Sequence, residues 1–214
     1  MSPLTRDFLE LALERGALRF GRFTLKSGRE SAFFFDIARL SSGQALALLG
    51  RLYRHTIETA GIGFDMLFGP AYKGIALATA TAIAFAESGR DLPVGFSRKE
   101  LKTHGEGGWL YGAPPRGRVL IVDDVLTAGT AAREAAARIR SSGAEVAGLI
   151  VALDREEHDP EYGVVARRLE AELAASVLAA ARLNDLVSLM QSRGEADPGI
   201  AALLRQRQGE AFPR

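Results

Sequence analysis

Two adjacent carboxylates, Asp123 and Asp124, stand between a short apolar run and a turn of small residues. The run, residues 119–122, is rich in β-branched side chains, which is typical of a strand buried on both faces of a parallel sheet. The turn, residues 127–131, offers backbone N–H groups and threonine hydroxyls ahead of a helical pattern, a combination that attracts phosphate. Acids at the end of a strand accept hydrogen bonds from ribose hydroxyls or face a cation. The alternative is a strand–helix junction with ordinary capping residues. It accounts for the two acids taken alone more readily than for the whole pattern.

A second turn between a predicted strand and a predicted helix covers residues 68–74. Gly69 and Gly74 have the spacing of a nucleoside-triphosphate P-loop, but the two residues after Gly74 are not Lys and Ser or Thr, which excludes that motif. A glycine-rich turn can still present backbone N–H groups to a pyrophosphate, and Lys73 adds a positive charge. Taken alone, the segment is also compatible with a plain connecting turn.

The segment 98–117 is too long for an ordinary connection in a compact domain. It begins with the cations Arg98, Lys99, Lys102 and His104 and continues with several glycines. This composition predicts a mobile lid that closes over anionic groups. A solvated loop is the alternative, and the phosphate-binding pattern nearby favours the lid.

Residues 33–35 are three consecutive phenylalanines on a predicted strand, where alternation requires at least one ring to face away from the core. Such a ring beside Lys26 suits a planar anion. Arg155 follows another predicted strand and is expected at the same sheet edge as Asp123, where its guanidinium fork matches a carboxylate or an imide. The alternative for the three rings is that they only pack in the core. The alternative for Arg155 is a surface position without a functional role.

Apolar periodicity predicts alternating strands and helices through the middle of the chain. The strands are expected over 65–68, 93–96, 119–122 and 145–153, and the helices over 41–60, 74–88 and 129–141. This alternation predicts an α/β fold with a doubly wound, mainly parallel sheet and helices on both faces. An opening helix that ends near Gly16 and two strands, 18–25 and 31–37, do not fit the alternation and predict a small N-terminal hood.

The C-terminal third is less distinctive. Residues 164–174 have a helical pattern, 176–181 are compatible with a last strand or with a longer helix, and 184–192 and 198–208 predict surface helices. We expect a single domain over 1–214, with hood elements over 1–40, a core over 41–192, a mobile catalytic loop over 98–117 and a C-terminal helix over 193–214.

Composition excludes several classes of protein. The 214 residues are 47% hydrophobic and 25% charged, which is typical of a globular domain, and a net charge of +1 argues against binding nucleic acid through a broad basic face. No apolar run approaches the roughly 18 residues that span a bilayer. The N-terminus lacks the pattern of a secretory signal, so we expect a cytoplasmic protein. The absence of cysteine excludes disulfides and thiolate chemistry, and three scattered histidines predict no metal cluster.

Several motifs occur together in an order that belongs to a known family. They cover residues 23–29, 67–74, 98–99, 104–108 and 122–130. With these motifs the chain closely resembles the bacterial orotate phosphoribosyltransferases, which are type I phosphoribosyltransferases acting on phosphoribosyl pyrophosphate (PRPP). The resemblance runs from about residue 4 to Arg155 and continues weakly to about Met190.

The resemblance implies roles for individual residues toward PRPP. The 5-phosphate is bound by the turn Thr127, Ala128, Gly129, Thr130 and Ala131, and the ribose by Asp123 and Asp124 with Val125 and Leu126 between acids and turn. The pyrophosphate side is contacted by Tyr72, Lys73 and Arg98, while Lys26 lies beside both PRPP and the base. Lys99, Lys102 and His104 reach a PRPP bound in the neighbouring subunit of a homodimer with shared sites, and Lys102 and Asp124 are the expected catalytic residues.

The resemblance also implies the second substrate and the reaction. Phe34, Phe35, Thr127 and Arg155 contact orotate, and the products are orotidine 5′-phosphate and pyrophosphate, a step of pyrimidine synthesis. Mg²⁺ is expected to arrive with PRPP, with few or no protein ligands. The remaining alternatives are a salvage enzyme for another base and a non-catalytic regulator that keeps the PRPP site.

One position departs from the family pattern. Asp36 stands where close relatives have a neutral Asn. A carboxylate beside an anionic base costs affinity unless it points away or pairs with Arg39.

Overall fold

The computed structural model describes residues 1–24, 30–102, 108–159 and 163–193, and only the backbone for 100–102 and 158–159. The helices are α1 Pro3–Glu14, α2 Gly43–Ala60, α3 Lys73–Ala86, α4 Thr130–Ser141, α5 Val165–Leu173 and α6 Leu183–Ser192, with a short 3₁₀ helix at Ile37–Leu40. The strands are β1 Leu18–Thr24, β2 Glu30–Phe35, β3 Met66–Gly69, β4 Val94–Lys102, β5 Gly108–Gly112, β6 Arg118–Leu126, β7 Glu145–Asp154, β8 His158–Asp159, β9 Gly163–Val164 and β10 Ser176–Arg182.

Six strands form the central sheet in the order β10-β7-β6-β3-β4-β5. All neighbours are parallel except β5, which runs antiparallel to β4 at one edge. Side chains alternate along β6: Leu120 and Val122 join the apolar core that contains α2 and α3, whereas Val119 and Ile121 join the core that contains α4 and α5. The predicted doubly wound α/β fold with helices on both faces is therefore confirmed.

Local signals in the sequence set several helix ends. Ser2 caps α1 by accepting from the Thr5 N–H, and Ser42 caps α2 in the same way through the Ala45 N–H. Gly61 ends α2 in the left-handed conformation with a φ of 65°, which glycine adopts without steric cost.

The N-terminal elements form the small unit expected from the sequence. Strands β1 and β2 pair antiparallel in a separate two-stranded sheet, and Phe35 meets Phe8 of α1 edge-on with ring centroids 6.1 Å apart. The turn that carries Lys26, residues 25–29, lies outside the described residues.

The segment 98–117 differs from the predicted loop. Strand β4 continues past the expected end at residue 96 to Lys102, and β5 returns beside it, so the segment forms much of a β-hairpin. We refer to β4 and β5 as the arm. The apolar pattern missed the arm beyond residue 96 because an antiparallel edge hairpin is held by backbone hydrogen bonds and by cross-strand pairs such as the half-buried Phe96 and the exposed Tyr111, which stack at 6.2 Å. Residues 103–107 lie outside the described part.

The C-terminal elements settle what the sequence left open. Residues 176–182 form a strand, β10, because they pair parallel with β7 from Ser176 opposite Gly148 to Arg182 opposite Asp154. Helix α6 is more buried than the predicted surface helix, with Leu186 and Leu189 fully covered. The predicted helices over 198–208 and 193–214 lie outside the described residues, apart from Arg193. Among the helices described, none is long and apolar enough to cross a membrane.

Candidate active site

The two acids lie in the last part of β6 rather than after it. Strand β6 extends to Leu126 because β7 pairs with it as far as Asp154. The carboxylate of Asp123 accepts a hydrogen bond from the Asp124 N–H at 2.9 Å. The backbone carbonyl of Asp123 accepts one from the hydroxyl of Tyr53 at 2.7 Å. Tyr53 is fully buried, and burial followed by the nearby acids raises its pKa well above the usual value, so it remains a donor.

Burial and neighbouring charges, including a lysine that follows β3, determine the ionisation of the two acids. Burial, followed by the charge of Asp124, raises the pKa of Asp123 to about 7. Lys73, the first residue of α3, acts in the opposite direction, and its ammonium donates to Asp124 at 2.6 Å. The site thus combines a carboxyl group that titrates near neutrality with a paired carboxylate and cation.

The glycines of the second turn allow α3 to start close to β6. A Cβ on Gly74 would lie 2.7 Å from the carbonyl oxygen of Val122, and a Cβ on Gly69 would collide with the Gly74 backbone. Both positions therefore require glycine, since a methyl group has no room. This close approach places Lys73 beside the acids, although the segment is not a P-loop.

Residues 127–131 form the turn into α4, which we call the phosphate loop. Gly129 has a φ of 77°, and Thr127, Ala128, Thr130 and Ala131 are exposed. Within the described residues no side chain caps α4, so its first N–H groups lack a side-chain acceptor. Free N–H groups at the N-terminus of a three-turn helix attract an anion through hydrogen bonds and the helix dipole.

A cavity of about 480 Å³ opens beside the phosphate loop. It brings together nine of the predicted residues, namely Arg98, Lys99, Asp123, Val125, Leu126, Thr127, Gly129, Thr130 and Ala131. Asp124 adjoins it through its contact with Asp123, and Lys73 through its ion pair with Asp124. A volume of this size accommodates a phosphorylated sugar.

The arm carries the predicted cations along one side of the cavity. Arg98 donates from Nε to the Leu110 carbonyl at 3.2 Å and lies over the Tyr111 ring. The ammonium of Lys99 lies 5.0 Å from the centre of the exposed Tyr72 ring. Lys102 ends β4, but only its backbone is described, and His104 lies outside the described residues.

Arg155 follows β7 directly, beside the end of β6 as expected, and it is 5% exposed. Its Nη2 donates to Ser31 at 2.7 Å, its Nε donates to Glu157 at 2.8 Å, and the guanidinium carbon lies 4.1 Å from the centre of the Phe33 ring. Burial lowers the pKa of Arg155, and the hydrogen bond to Glu157 opposes that change. The fork is thus held between the hood and the sheet.

The three phenylalanines alternate as the sequence predicts. Phe33 and Phe35 are buried, and Phe34 is the partly exposed ring, packed against Phe23 at 5.6 Å with Arg19 over it. None of the three rings lines the cavity beside the phosphate loop, so the structure separates the aromatic group from that part of the site.

Three comparisons with known proteins agree. The family model for the phosphoribosyl transferase domain matches residues 39–167. An orotate phosphoribosyltransferase of Thioalkalivibrio sulfidiphilus is 53% identical over 204 residues, which cover 95% of this chain and 96% of that protein. The crystal structure of the Francisella tularensis orotate phosphoribosyltransferase matches with a TM-score of 0.81 at 33% identity, over 95% of this chain and 98% of that one.

The chain belongs to the orotate phosphoribosyltransferase family. Orotate phosphoribosyltransferases transfer the phosphoribosyl group of PRPP to orotate and yield orotidine 5′-phosphate and pyrophosphate in pyrimidine biosynthesis. The chain is accordingly an enzyme, a glycosyltransferase that transfers a pentosyl group, and this prediction is confirmed. A further relative, the Mycobacterium tuberculosis orotate phosphoribosyltransferase in complex with PRPP, is 30% identical with a TM-score of 0.66, over 86% of this chain and 99% of that one.

Several residues that line the cavity of this orotate phosphoribosyltransferase family member were not predicted from the sequence, among them Ser97, Glu134 and Arg138. Ser97 accepts the Ala71 N–H at 2.9 Å and so joins the arm to the second turn. Arg138 lies over the Trp109 ring at 5.6 Å. A signal existed for Arg138, because it follows Thr130 by eight residues and therefore shares its face of α4.

The departure at Asp36 has a structural explanation. Its carboxylate accepts the Ala38 N–H at 3.2 Å, which caps the short 3₁₀ helix, and it lies 3.9 Å from Arg39. The charge is therefore engaged locally, through the pairing with Arg39 that the sequence raised as one possibility.

Proposed function

We propose that this chain carries out the orotate phosphoribosyltransferase reaction at the end of β6, with the residues predicted from the sequence. The observation that carries the proposal is the phosphate loop, where uncapped N–H groups of α4 lie next to Asp123. PRPP presents a terminal phosphate, then ribose hydroxyls and then a pyrophosphate. The loop, the two acids and Lys73 follow one another in the same order.

The phosphate loop would bind the 5-phosphate through backbone N–H groups and the hydroxyls of Thr127 and Thr130. Asp123 and Asp124 would then accept hydrogen bonds from the ribose hydroxyls, while Lys73, Tyr72 and Arg98 would face the pyrophosphate. Holding both ends of PRPP orients the ribose carbon between them, and this orientation lowers the entropic part of the barrier.

The reaction forms a bond from the orotate ring nitrogen to the ribose carbon and breaks the bond from that carbon to the pyrophosphate oxygen. The proton of that nitrogen is lost and is taken up by the released pyrophosphate. Positive charge develops on the sugar and negative charge on the leaving group. No covalent nucleophile is required, because fixed charges stabilise both changes. Asp123 and Asp124 serve the sugar, and Lys73 with the arm cations serves the pyrophosphate.

Orotate would bind between the hood and the sheet, beside Phe34 and Phe35, with Thr127 and Lys26 nearby. Support comes from Arg155, whose described hydrogen bonds use Nε and Nη2. The second terminal nitrogen, Nη1, is the donor that would remain for the base.

Mg²⁺ would accompany PRPP and neutralise its pyrophosphate. The donor chemistry fits, because Mg²⁺ in such sites is held by substrate phosphates, water and one or two carboxylates, and two carboxylates are available here. Among the described residues no cluster of three or more His, Asp or Glu side chains forms an independent metal site.

The proposed assembly is a homodimer in which Lys99, Lys102 and His104 of each arm serve the neighbouring site. Support comes from three exposed apolar or aromatic side chains, Tyr72 just before α3, Ile83 on α3 and Tyr111 on the arm, with exposed fractions of 66%, 55% and 62%. A cytoplasmic location remains a prediction.

The test follows orotate absorbance in the ultraviolet with PRPP and Mg²⁺. We expect orotate to be consumed, and uracil, adenine and hypoxanthine to be neither consumed nor inhibitory. Asp124→Asn should abolish most of the activity, whereas Asp91→Asn, at an exposed position before β4, should retain it. Consumption of another base in preference to orotate would favour the salvage enzyme, and PRPP binding without turnover would favour the regulator.

A further inference from the structure

Arg133, in the first turn of α4, reaches back to the phosphate loop. Its Nη1 donates to the Ala128 carbonyl at 2.6 Å, and its Nε donates to the carboxylate of Glu172 on α5. One guanidinium therefore links a loop carbonyl to a different helix. A planar fork can hold two such partners in fixed directions, which a lysine ammonium cannot do.

Glu172 is fixed in turn by a second arginine. Arg168, one turn earlier on α5, donates to it at 2.7 Å. Hydrogen bonds from Arg133 and Arg168 lower the pKa of Glu172, so it stays ionised through the neutral range. The carboxylate is thus a permanent acceptor on the side of α5 that faces the loop.

An apolar contact supports the same loop from α5. A Cβ added to Gly129 would lie 3.2 Å from both methyl groups of Leu169. Leu169 is fully buried. Helix α5 therefore meets the phosphate loop twice, by packing at Gly129 and through the Glu172–Arg133 pair at Ala128.

The orientation of the Ala128 carbonyl matters for an anion. A carbonyl oxygen turned toward a phosphate would repel it, whereas N–H groups attract it. Because the C=O and N–H of a trans peptide point in opposite directions, engaging the Ala128 carbonyl turns the Gly129 N–H away from Arg133. We propose that Arg133, oriented by Glu172, is a positioning residue that presets the phosphate loop for the 5-phosphate, an inference that rests on the proposed placement of PRPP.

A purely electrostatic role for this cluster makes the opposite prediction. If the charges act on the phosphate only at a distance, Glu172→Gln removes a negative charge near the anion and tightens binding. If Glu172 orients Arg133, the same change weakens binding even though the net charge becomes more favourable. The sign of the effect separates the two roles.

The measurement is competitive inhibition against PRPP by two probes, ribose 5-phosphate and pyrophosphate. We expect Glu172→Gln and Arg133→Lys each to raise the inhibition constant of ribose 5-phosphate about three- to tenfold, the range of one lost hydrogen bond. The inhibition constant of pyrophosphate should not change. Arg51→Gln, at an exposed position on α2 across the sheet from the phosphate loop, is the control and should leave both constants unchanged.

A further variant distinguishes failure of the positioning role from failure of the proposed PRPP site. Gly129→Ala, which puts a side chain at a φ of 77° and within 3.2 Å of Leu169, should raise the ribose 5-phosphate constant about tenfold through backbone strain and crowding. If Gly129→Ala weakens ribose 5-phosphate but Glu172→Gln and Arg133→Lys do not, the positioning role is overturned and the PRPP site stands. If Gly129→Ala has no effect, the assignment of the loop is wrong and the positioning role falls with it. Thermal unfolding shows that each variant is folded, and the two positioning variants test the role independently.

Discussion

The ammonium of Lys73 lies 2.6 Å from a carboxylate oxygen of Asp124, although 51 residues separate the two in the chain. Lys73 begins α3 directly after the turn that follows β3, and Asp124 lies near the end of β6, the strand that pairs with β3. Parallel neighbours bring these two ends to one edge of the sheet. The pair modulates the pKa of Asp123, which burial raises most: Asp124 raises that pKa further and Lys73 lowers it.

Binding of PRPP should depend on the ionisation of Asp123. Its pKa is raised to about 7, mainly by burial, and the ionised form accepts hydrogen bonds from hydroxyls better than the protonated form does. We expect kcat/KM for PRPP to rise with pH through a midpoint near 7. Lys73→Gln removes a charge that favours ionisation and should move that midpoint upward. In Asp123→Asn the rise of kcat/KM near pH 7 should disappear, apart from any pH dependence due to ionisation of PRPP itself. If the same rise persists in Asp123→Asn, the midpoint belongs to another group.

Stability should respond to the same carboxyl in the opposite direction. The folded-state pKa lies above the unfolded value of 3.8, so between about pH 4 and 7 the folded chain binds more protons than the unfolded chain. The contribution of Asp123 to the free energy of unfolding is therefore present at low pH and is lost as the pH rises to about 7. Asp123→Asn should raise the Tm more at pH 8 than at pH 5, as measured by circular dichroism. Asp91→Asn is the control, and equal shifts at both pH values would contradict the prediction.

Tyr53→Phe should destabilise the protein by about 1 kcal/mol, the usual cost of one buried hydrogen bond. The Tyr53 hydroxyl donates to the Asp123 carbonyl at 2.7 Å from a fully buried ring, and phenylalanine keeps the ring in place. Urea denaturation measures the change. Activity should fall less than in Asp123→Asn, because the carboxylate itself remains.

Lys102→Ala should lower kcat about 10²–10³-fold, the typical effect of removing one donor that stabilises a developing charge. The resemblance places this cation over the leaving pyrophosphate, at the end of β4. Arg116→Ala is the matched control, since Arg116 is an exposed cation beyond the other strand of the arm. A raised KM for PRPP with unchanged kcat would show that Lys102 serves capture and not chemistry.

Mixed dimers test whether the arm serves the partner subunit. A chain with Lys102→Ala keeps its own acids, and a chain with Asp124→Ala keeps its own arm. After unfolding, equal mixing and reassociation, about half of the dimers should be mixed, and each should contain one complete site, so about a quarter of wild-type activity should return. Mass measurement of tagged chains establishes exchange. With exchange established, activity that stays at the level of the separate variants would show that each arm serves its own subunit.

Features contained in one stretch of chain could be predicted from the sequence. The buried strand, the acids and the phosphate loop lie within residues 119–131, so their order along the chain is their order in space. Alternation likewise required one ring of 33–35 to face away, and the structure decides that it is Phe34. The last part of β4 and all of β5 were missed because these segments are joined by backbone hydrogen bonds at an edge and carry no apolar periodicity.

Contacts between distant segments needed the tertiary structure. The strand β10 exists because β7 offers a parallel partner, whereas its alanine-rich sequence also suits a helix. The pairing of Lys73 with Asp124 and the link from Glu172 through Arg133 to Ala128 each depend on packing of separate elements. The sequence by itself determined the chemistry of the site, because local residue types define which groups are available. The structure decided which of those groups meet, because distances across a fold are set by sheet order and helix packing.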